Sequence, residues 1–389
     1  MKRSQRITVV GVSIVAVVIF FLMLTGLSRR SEGPIARVLT DIGVFLGHIE
    51  NSVADYFRGP GRASRLAWFE PLRTNIDSLR HPTCILLGAY DSGLPGSLDG
   101  VATLESTLGE TFPLLHVYAA WGDRPNQRFP ARILSAFWNL GSVPVVTWEP
   151  WLTDFENVNH SHLPLRADRD LGGLAAIARG DYDFYIDEWA AAAADFGRPL
   201  FLRFAHEMND PYRYPWGPHN NPSNADFLDA WRHVHERFRR AGARNVLWVW
   251  SPHIAYPYYN YYPGDDHVDW IATGVLNYGN VAYWSKWWSF EEIFGKHYSY
   301  VAALRKPIMI AEFGSLMYGG DRAKWFGEAL ADLPRRYPSV QALVFFHALG
   351  DATVTPQALD WTLIRDSTSS RVIATEIAGW HKNTQPLQR

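Results

Sequence analysis

The chain has 389 residues, 37 Lys and Arg against 39 Asp and Glu for a net charge of −2, and 47% hydrophobic residues. The near-balance of charge excludes the strongly basic face of a nucleic-acid binder, and the apolar content excludes a disordered chain. A single cysteine, Cys84, can close no internal disulfide and build no cysteine-based zinc or iron–sulfur site.

The chain opens with an uncharged run from Ile7 to Leu27, preceded by Lys2, Arg3 and Arg6 and followed by Arg29 and Arg30. About 20 apolar residues span a bilayer as a helix. No Ala-x-Ala cleavage pattern follows, so residues 1–28 read as an uncleaved signal anchor, a transmembrane helix. The basic residues on its N-terminal side favour a single-pass cell-membrane protein with its bulk extracytoplasmic. Next, Ile35, Val38, Leu39, Ile42, Phe45, Leu46, Ile49, Val53 and Phe57 recur at three- and four-residue steps, the pattern of an amphipathic helix. It serves as a stalk packed on the main domain or as a docking surface for a membrane partner. Gly59-Pro60-Gly61 breaks it. Residues 29–75 are thus a juxtamembrane amphipathic helix and linker, 76–380 the main domain, and 381–389 a tail.

Eight short apolar runs then follow, each ending in polar or aromatic residues: Cys84–Tyr90, Leu114–Trp121, Val143–Glu149, Pro199–Glu207, Asn245–His253, Trp270–Gly279, Pro307–Gly314 and Val340–His347. Stretches long enough for helices separate them; Phe227–Ala241 carries Phe227, Leu228, Trp231, Val234, His235 and Phe238 at helical spacing. Continuous apolar strands alternating with helices indicate a parallel sheet, and eight repeats predict an α/β fold of the (β/α)8 TIM-barrel type. The competing fold, a doubly wound open sheet, would want a glycine-rich first turn for a cofactor. Gly88-Ala-Tyr-Asp-Ser-Gly93 is not that fingerprint, and no P-loop is present.

In a barrel, chemistry sits at the C-terminal ends of the strands. Three glutamates stand there: Glu149, Glu207 and Glu312. Aromatic residues make up 14% of the chain, and many fall near these ends; rings with polar tips suit a wet cleft and stack on sugar faces. Two carboxyls among such rings are what glycoside cleavage needs, one to protonate the leaving oxygen and one to attack the sugar carbon or activate water. Strand alternation puts Arg203, Ala205 and Glu207 on one face. Glu149 reads as structural or as a subsite contact. Trp148, Trp248 and Trp250 lie inside strands, as core or as ligand contacts, and Tyr256–Tyr262 either lines a cleft or packs on a neighbouring loop. His206-Glu207 is no zincin motif, because Asp210 stands where the second histidine is required. His233 and His235, two apart on a helix, face different ways, and no Gly-x-Ser-x-Gly elbow occurs.

Arg203-Phe-Ala-His206-Glu207-Met-Asn209 followed by Tyr214-Pro-Trp216-Gly217 resembles the acid/base motif of glycoside hydrolase family 26, and Ile310-Ala-Glu312-Phe-Gly-Ser315 resembles its nucleophile strand. Val146-Thr-Trp148-Glu-Pro-Trp151 and Val246-Leu-Trp-Val-Trp-Ser251-Pro are also similar, so the resemblance covers about residues 84 to 350. The family is a retaining (β/α)8 group with its acid/base on strand 4 and its nucleophile on strand 7, and the count of runs independently places Glu207 on the fourth and Glu312 on the seventh. Its members are mostly endo-β-1,4-mannanases; some cleave mixed-linkage β-1,3-1,4-glucan or β-1,3-xylan. The resemblance implies that Glu207 is acid then base and Glu312 the nucleophile, with carboxyls roughly 5 to 5.5 Å apart. It further implies that His206 bonds near the sugar 2-hydroxyl or the nucleophile, that Tyr278 bonds the nucleophile, and that Trp216, Trp151 and Trp284 are stacking platforms. Asn209 and Arg203 complete the expected substrate-binding set, Arg203 as ion-pair partner or nucleophile support. The chain departs from family habit at Asp210-Pro211, where members often carry Gly and an aromatic. Two-carboxylate chemistry needs no cofactor and no metal.

Two functions follow. One is a membrane-tethered retaining endo-β-glycanase acting on β-mannan or mixed-linkage glucan, with transglycosylation as a variant. The other, motivated by the anchor and the amphipathic helix, is a glycan-binding or trimming accessory subunit of an exopolysaccharide synthesis and export system, with a membrane protein as partner. No nucleic acid is expected as partner.

Overall fold

The structure is a computed structural model and describes residues 61–383. The anchor expected at 1–28 and the amphipathic helix expected at 34–58 lie outside the described residues. Among the described residues no helix is long and apolar enough to cross a membrane.

Eight strands follow one another in chain order: β1 (Leu86–Asp91), β2 (Leu114–Ala120), β3 (Val143–Glu149), β4 (Leu200–Phe204), β5 (Val246–Trp250), β6 (Trp270–Asn277), β7 (Ile308–Ser315) and β8 (Val340–His347). Each pairs in parallel with the next, and β8 pairs with β1, which closes a barrel. Six strands fall inside the runs read from the sequence, and β1 and β7 each extend one residue past theirs, to Asp91 and Ser315. The helix Asn224–Arg240 shows why the intervening stretches are helical. Ser223 caps its start by accepting from the Ala225 amide, Phe227, Ala230, Trp231, Val234 and Phe238 bury one face, and Arg237, Arg239 and Arg240 complement the dipole at its end. A two-stranded hairpin, β9 (Leu349–Asp351) with β10 (Leu359–Asp360), follows β8 at the same end as the strand termini.

Period-two alternation divides each strand between two cores. One face, with Leu87, Val117, Val146 and Trp148 among others, packs under the helices; Trp248 and Trp250 are also in this layer, so these three tryptophans are core. The other face fills the barrel interior with Leu86, Leu114, Val143, Val145, Phe201 and their counterparts on β5 to β8. Above this apolar floor the same inward columns turn polar: His116 and Tyr118 on β2, Thr147 and Glu149 on β3, Arg203 on β4. A rigid base thus carries the polar mouth.

The opposite end is plugged by Leu66, Phe69 and Leu79 from the segment before β1. Arg62 ties that segment down. Its guanidinium donates to Glu105 at 2.6 and 3.1 Å, to the Phe112 carbonyl at 3.0 Å and to Ser142 Oγ at 2.9 Å, and both Arg62 and Glu105 are buried. Among the described residues, packing on the barrel thus reaches back to Arg62, within the stretch 29–75 that the sequence assigns to amphipathic helix and linker. Removing one partner of a buried pair strands the other charge and costs about 3–5 kcal/mol. Arg62→Met should lower unfolding free energy by that order in chemical denaturation, whereas the exposed-pair variant Arg128→Met should cost about 1 kcal/mol or less.

Candidate active site

Glu312 reaches the mouth through a break in strand register. Met309 and Ala311 both belong to the interior floor, so simple alternation would turn Glu312 outward. Across β6, however, Thr273 pairs with Ile310 and the next residue, Gly274, pairs with Glu312; Ala311 is an extra residue, and the register with β8 is broken at the same place. A bulge of this kind re-aims the side chain that follows it. Glu312 consequently faces inward, where the buried Arg203 guanidinium Nη2 donates to Oε1 and the Tyr118 hydroxyl donates to the same oxygen at 2.8 Å. Burial first, and then the Glu312 charge, push the Tyr118 phenol well above its ordinary value, so it stays a donor. His116, beside Arg203, binds Thr147 Oγ1 through Nε2 at 2.7 Å; burial and then the Arg203 charge hold it well below the usual histidine range, so it is neutral.

Glu207 is presented differently. β4 ends at Phe204, and Ala205 and Glu207 take left-handed φ values of 45° and 52°, uncommon for residues with a side chain. The alternation expected across Arg203, Ala205 and Glu207 therefore stops after Arg203. The turn is pinned from both sides: the Ala205 amide donates to the Trp148 carbonyl at 3.0 Å and the Glu207 amide to the Ser251 carbonyl at 2.7 Å. Arg213 Nη1 donates to Glu207 Oε2 at 3.0 Å, and its Nε lies 3.9 Å from Asp210 Oδ2. The glycine of β6 leaves the space between the glutamates open. A Cβ placed on Gly274 would lie 3.5 Å from Glu312 Oε2 and 3.6 Å from Glu207 Oε1. Each carboxylate thus has one oxygen anchored by an arginine and the other facing a common point.

That point opens into a cleft of about 770 Å³ lined by Glu207, Glu312, Arg213, Tyr256, Tyr278 and Trp284, with Tyr212, Tyr283, Trp288 and Val354 further out. Trp284 is half exposed and stands edge-on to Tyr278. Several expected contacts are placed elsewhere. Trp216 is buried; it stacks on Tyr214 at 4.7 Å and donates to the His206 carbonyl at 2.7 Å, so it supports the site from behind. Trp151 is half-buried, edge-on to Trp216, and donates to Glu149 Oε2 at 3.1 Å. Buried Asn209 clasps the loop after β5, donating to the His253 carbonyl and accepting from the His253 amide. The tyrosine bound to Glu312 is Tyr118 of β2, whereas Tyr278 packs edge-on to Trp284 and Trp361. His206 contacts Tyr214 through Nε2 at 3.0 Å. Of the loop tyrosines, Tyr256 lines the cleft while Tyr258 is buried.

Two contributors were not read from the sequence: Tyr118 and Arg213. Asp91 receives His347 Nδ1 at 2.7 Å across the β1–β8 seam, which gives His347 its place. A Tyr inside a strand and an Arg in a turn carry no motif; only the coincidence of Tyr118 with the inward parity of β2 could have marked it. Among the described residues Glu207, Asp210 and His253 have ligand-type atoms within 4.8 Å of one another. The Arg213 guanidinium already supplies positive charge beside Glu207 and Asp210, and His253 Nδ1 accepts from the Ala255 amide at 3.3 Å, so the donor set is suited to an arginine clamp.

The fold and site define a (β/α)8 barrel with paired glutamates at the ends of its fourth and seventh strands. Residues 176–316, which include both glutamates, match glycosyl hydrolase family 26. The chain is 32% identical over 278 residues to Endoglucanase H of Acetivibrio thermocellus, an alignment covering 67% of this chain and 28% of that protein. It is 34% identical over 111 residues to β-1,3-xylanase TXYA of a Vibrio species, covering 27% of this chain and 23% of that one. Among solved structures, a family 26 β-mannanase from Bacteroides ovatus superposes with a TM-score of 0.55 at 17% identity, covering 83% of this chain and 93% of that chain. The chain therefore belongs to glycosyl hydrolase family 26, and it spans about a quarter of the length of the curated relatives it matches.

Glu149 adds a third carboxyl at the mouth. Burial pushes it up to about 7, offset in part by the Trp151 hydrogen bond and by Arg203. A carboxyl raised on folding takes up a proton as the chain folds, so its contribution to stability is fully present below about pH 4.5 and is lost as pH rises through about 7. Between pH 4.5 and 7 the wild type should lose up to about 3 kcal/mol relative to Glu149→Gln, read as diverging denaturation midpoints across that window.

Proposed function

We propose that the protein is a retaining endo-β-glycanase that hydrolyses a β-linked polysaccharide through a glycosyl-enzyme on Glu312. The observation that carries this reading is the matched pair of carboxylates, each anchored at one oxygen and open at the other toward Gly274. Glu312 Oε2 attacks the anomeric carbon while Arg203 and Tyr118 hold Oε1. Glu207 delivers a proton from Oε1 to the departing glycosidic oxygen and later takes one from water as that water attacks the same carbon. The bond broken to the leaving sugar is replaced first by the bond to Glu312 and then by the bond to water, so the anomeric configuration is retained. A sugar acceptor in place of water gives transglycosylation. Trp284 and Tyr256 suit the leaving-group side, stacking the apolar faces of a chain that runs along the open cleft.

For the backbone, β-mannan and mixed-linkage β-1,3-1,4-glucan are the candidates. The similarity to a protein named as an endoglucanase, extending over 278 residues, supports glucan as the first to test. The uncharged run Ile7–Leu27 supports a membrane tether with the barrel extracytoplasmic, acting on glycan that touches or leaves its own cell. The same run supports the second reading, a trimming subunit beside a membrane protein of an exopolysaccharide system.

Reducing-end release by the full chain on β-mannan, mixed-linkage glucan, β-1,3-xylan and cellulose tests the proposal. Activity on one polymer is expected, with Glu312→Gln abolishing it and Glu207→Gln lowering it about 10²- to 10⁴-fold, less on aryl glycosides whose leaving group needs no proton. Activity undiminished in Glu312→Gln, or none on any polymer from the folded chain, would reject it.

A further inference from the structure

The outer wall of the cleft, built by the segment after β6, carries a charge that the two-carboxylate chemistry does not use. Trp288 is half-buried there, and its backbone is pinned from both sides: its amide donates to Asn277 Oδ1 at 3.2 Å, and its carbonyl accepts the Trp325 indole N–H at 3.0 Å. Two ammonium groups approach its ring, Lys286 Nζ at 4.1 Å and Lys296 Nζ at 5.8 Å from the centroid. A fixed indole on a cleft wall offers a sugar an apolar surface, and here cations border it.

The two lysines differ in what they face. Lys286 Nζ lies 3.4 Å from Glu292 Oε1, and the other Glu292 oxygen accepts from the Ser289 amide and hydroxyl at 2.9 and 3.1 Å. Glu292 is thereby engaged at both oxygens. Lys296 lines the cleft and, among the described residues, has no carboxylate partner. Beside it stand His297 and His253, also on the cleft wall. Burial, then the charges of Lys296 and His253, hold His297 below the usual histidine range, so it is a neutral ring with one N–H. His253 Nδ1 accepts from the Ala255 amide at 3.3 Å, which puts the proton of its neutral form on Nε2.

Nearer the reacting centre the balance reverses. Glu312 is matched by Arg203, but Glu207 and Asp210 share the single cation Arg213. An acidic sugar is repelled there and attracted further out. The attracting wall is on the Glu207 side, because a His253 ring nitrogen lies within 4.8 Å of Glu207 and Asp210 oxygens. We propose that Lys296, with His253 and His297 beside it and Trp288 as its platform, forms a subsite for a carboxylate-bearing sugar on the leaving-group side, so that the preferred substrate is a β-glycan with acidic units at intervals. The inference rests on the glycanase reading above and narrows its substrate class. One free ammonium flanked by N–H donors matches one negative charge spread over two acceptor oxygens. Cleavage then falls on a neutral unit seated against Glu312, and the charge departs with the leaving fragment.

The test compares, on the full chain, kcat/KM for β-mannan, mixed-linkage glucan and cellulose with that for the same polymers partly oxidised at C6 to uronic acid units. The oxidised form of a cleaved polymer should be the better substrate by about fivefold, the upper end of what an exposed ion pair supplies, and added salt should narrow the gap. Lys296→Met should bring the ratio of oxidised to parent values to about one, and Lys296→Glu should invert it. A ratio taken within one variant is unaffected by any loss of folded protein. Lys324→Met, which removes a lysine paired with Glu328 on the outer helix Arg322–Arg336, should leave the ratio as in the wild type. Mass spectrometry should find uronic units on the departing fragments and none at the newly formed reducing ends. A wild-type ratio at or below one, activity on unmodified polymers only, or a ratio that Lys296→Met does not move would overturn the acidic subsite. The glycanase reading would then stand, provided Glu312→Gln is inactive. A folded chain that cleaves no polymer in either form would overturn both.

Discussion

A buried guanidinium governs the arrangement of this barrel mouth. Arg203 rises from β4 directly above the apolar floor and binds one oxygen of Glu312, with Tyr118 sharing that oxygen. Two charges taken out of water are tolerated only when their mutual geometry is good. Much of the surrounding chemistry follows from that requirement. His116 is neutral, so no second cation crowds Arg203, and Tyr118 keeps its proton. The bulge at Ala311 brings Glu312 to the inward side, where the guanidinium can reach it.

The same economy appears around Glu207. A strained turn after β4 aims the side chain, and Arg213 anchors the oxygen turned away from Gly274. Both glutamates are thereby positioned by a fixed cation and left with one free oxygen each. Preorganised groups of this kind cost no rearrangement during reaction, because folding has already supplied it. Gly274 completes the arrangement by contributing no side chain where a sugar ring would lie.

Much of this was legible in the amino-acid sequence, and what was not has identifiable causes. The eight strands were readable because parallel strands buried on both faces are continuous apolar runs, and the two glutamates because they end the fourth and seventh of them. Alternation failed at the two places where the site is made. It predicts an outward Glu312 and a simple column through Ala205 to Glu207, and a bulge and two left-handed residues replace it. Local pattern does not encode such departures, which are set by tertiary pairing. Trp216 and Asn209 have the right chemistry for a cleft but are buried behind it, and a one-dimensional reading has no means of telling a platform from its support. Arg213 and Tyr118 belong to no motif and emerged only when three strands and a turn were brought together.

A tethered glycanase and an accessory glycan-trimming subunit share this chemistry, so the covalent step on Glu312 is the claim on which the rest stands. The most direct measurement is to treat the full chain with 2-deoxy-2-fluoro β-glycosides carrying a good leaving group and to map the attached sugar by peptide mass spectrometry. A single sugar on the peptide containing Glu312, released when acceptor glycan is added, is the predicted result. Turnover without any covalent adduct, or an adduct on Glu207 or Glu149, would contradict it.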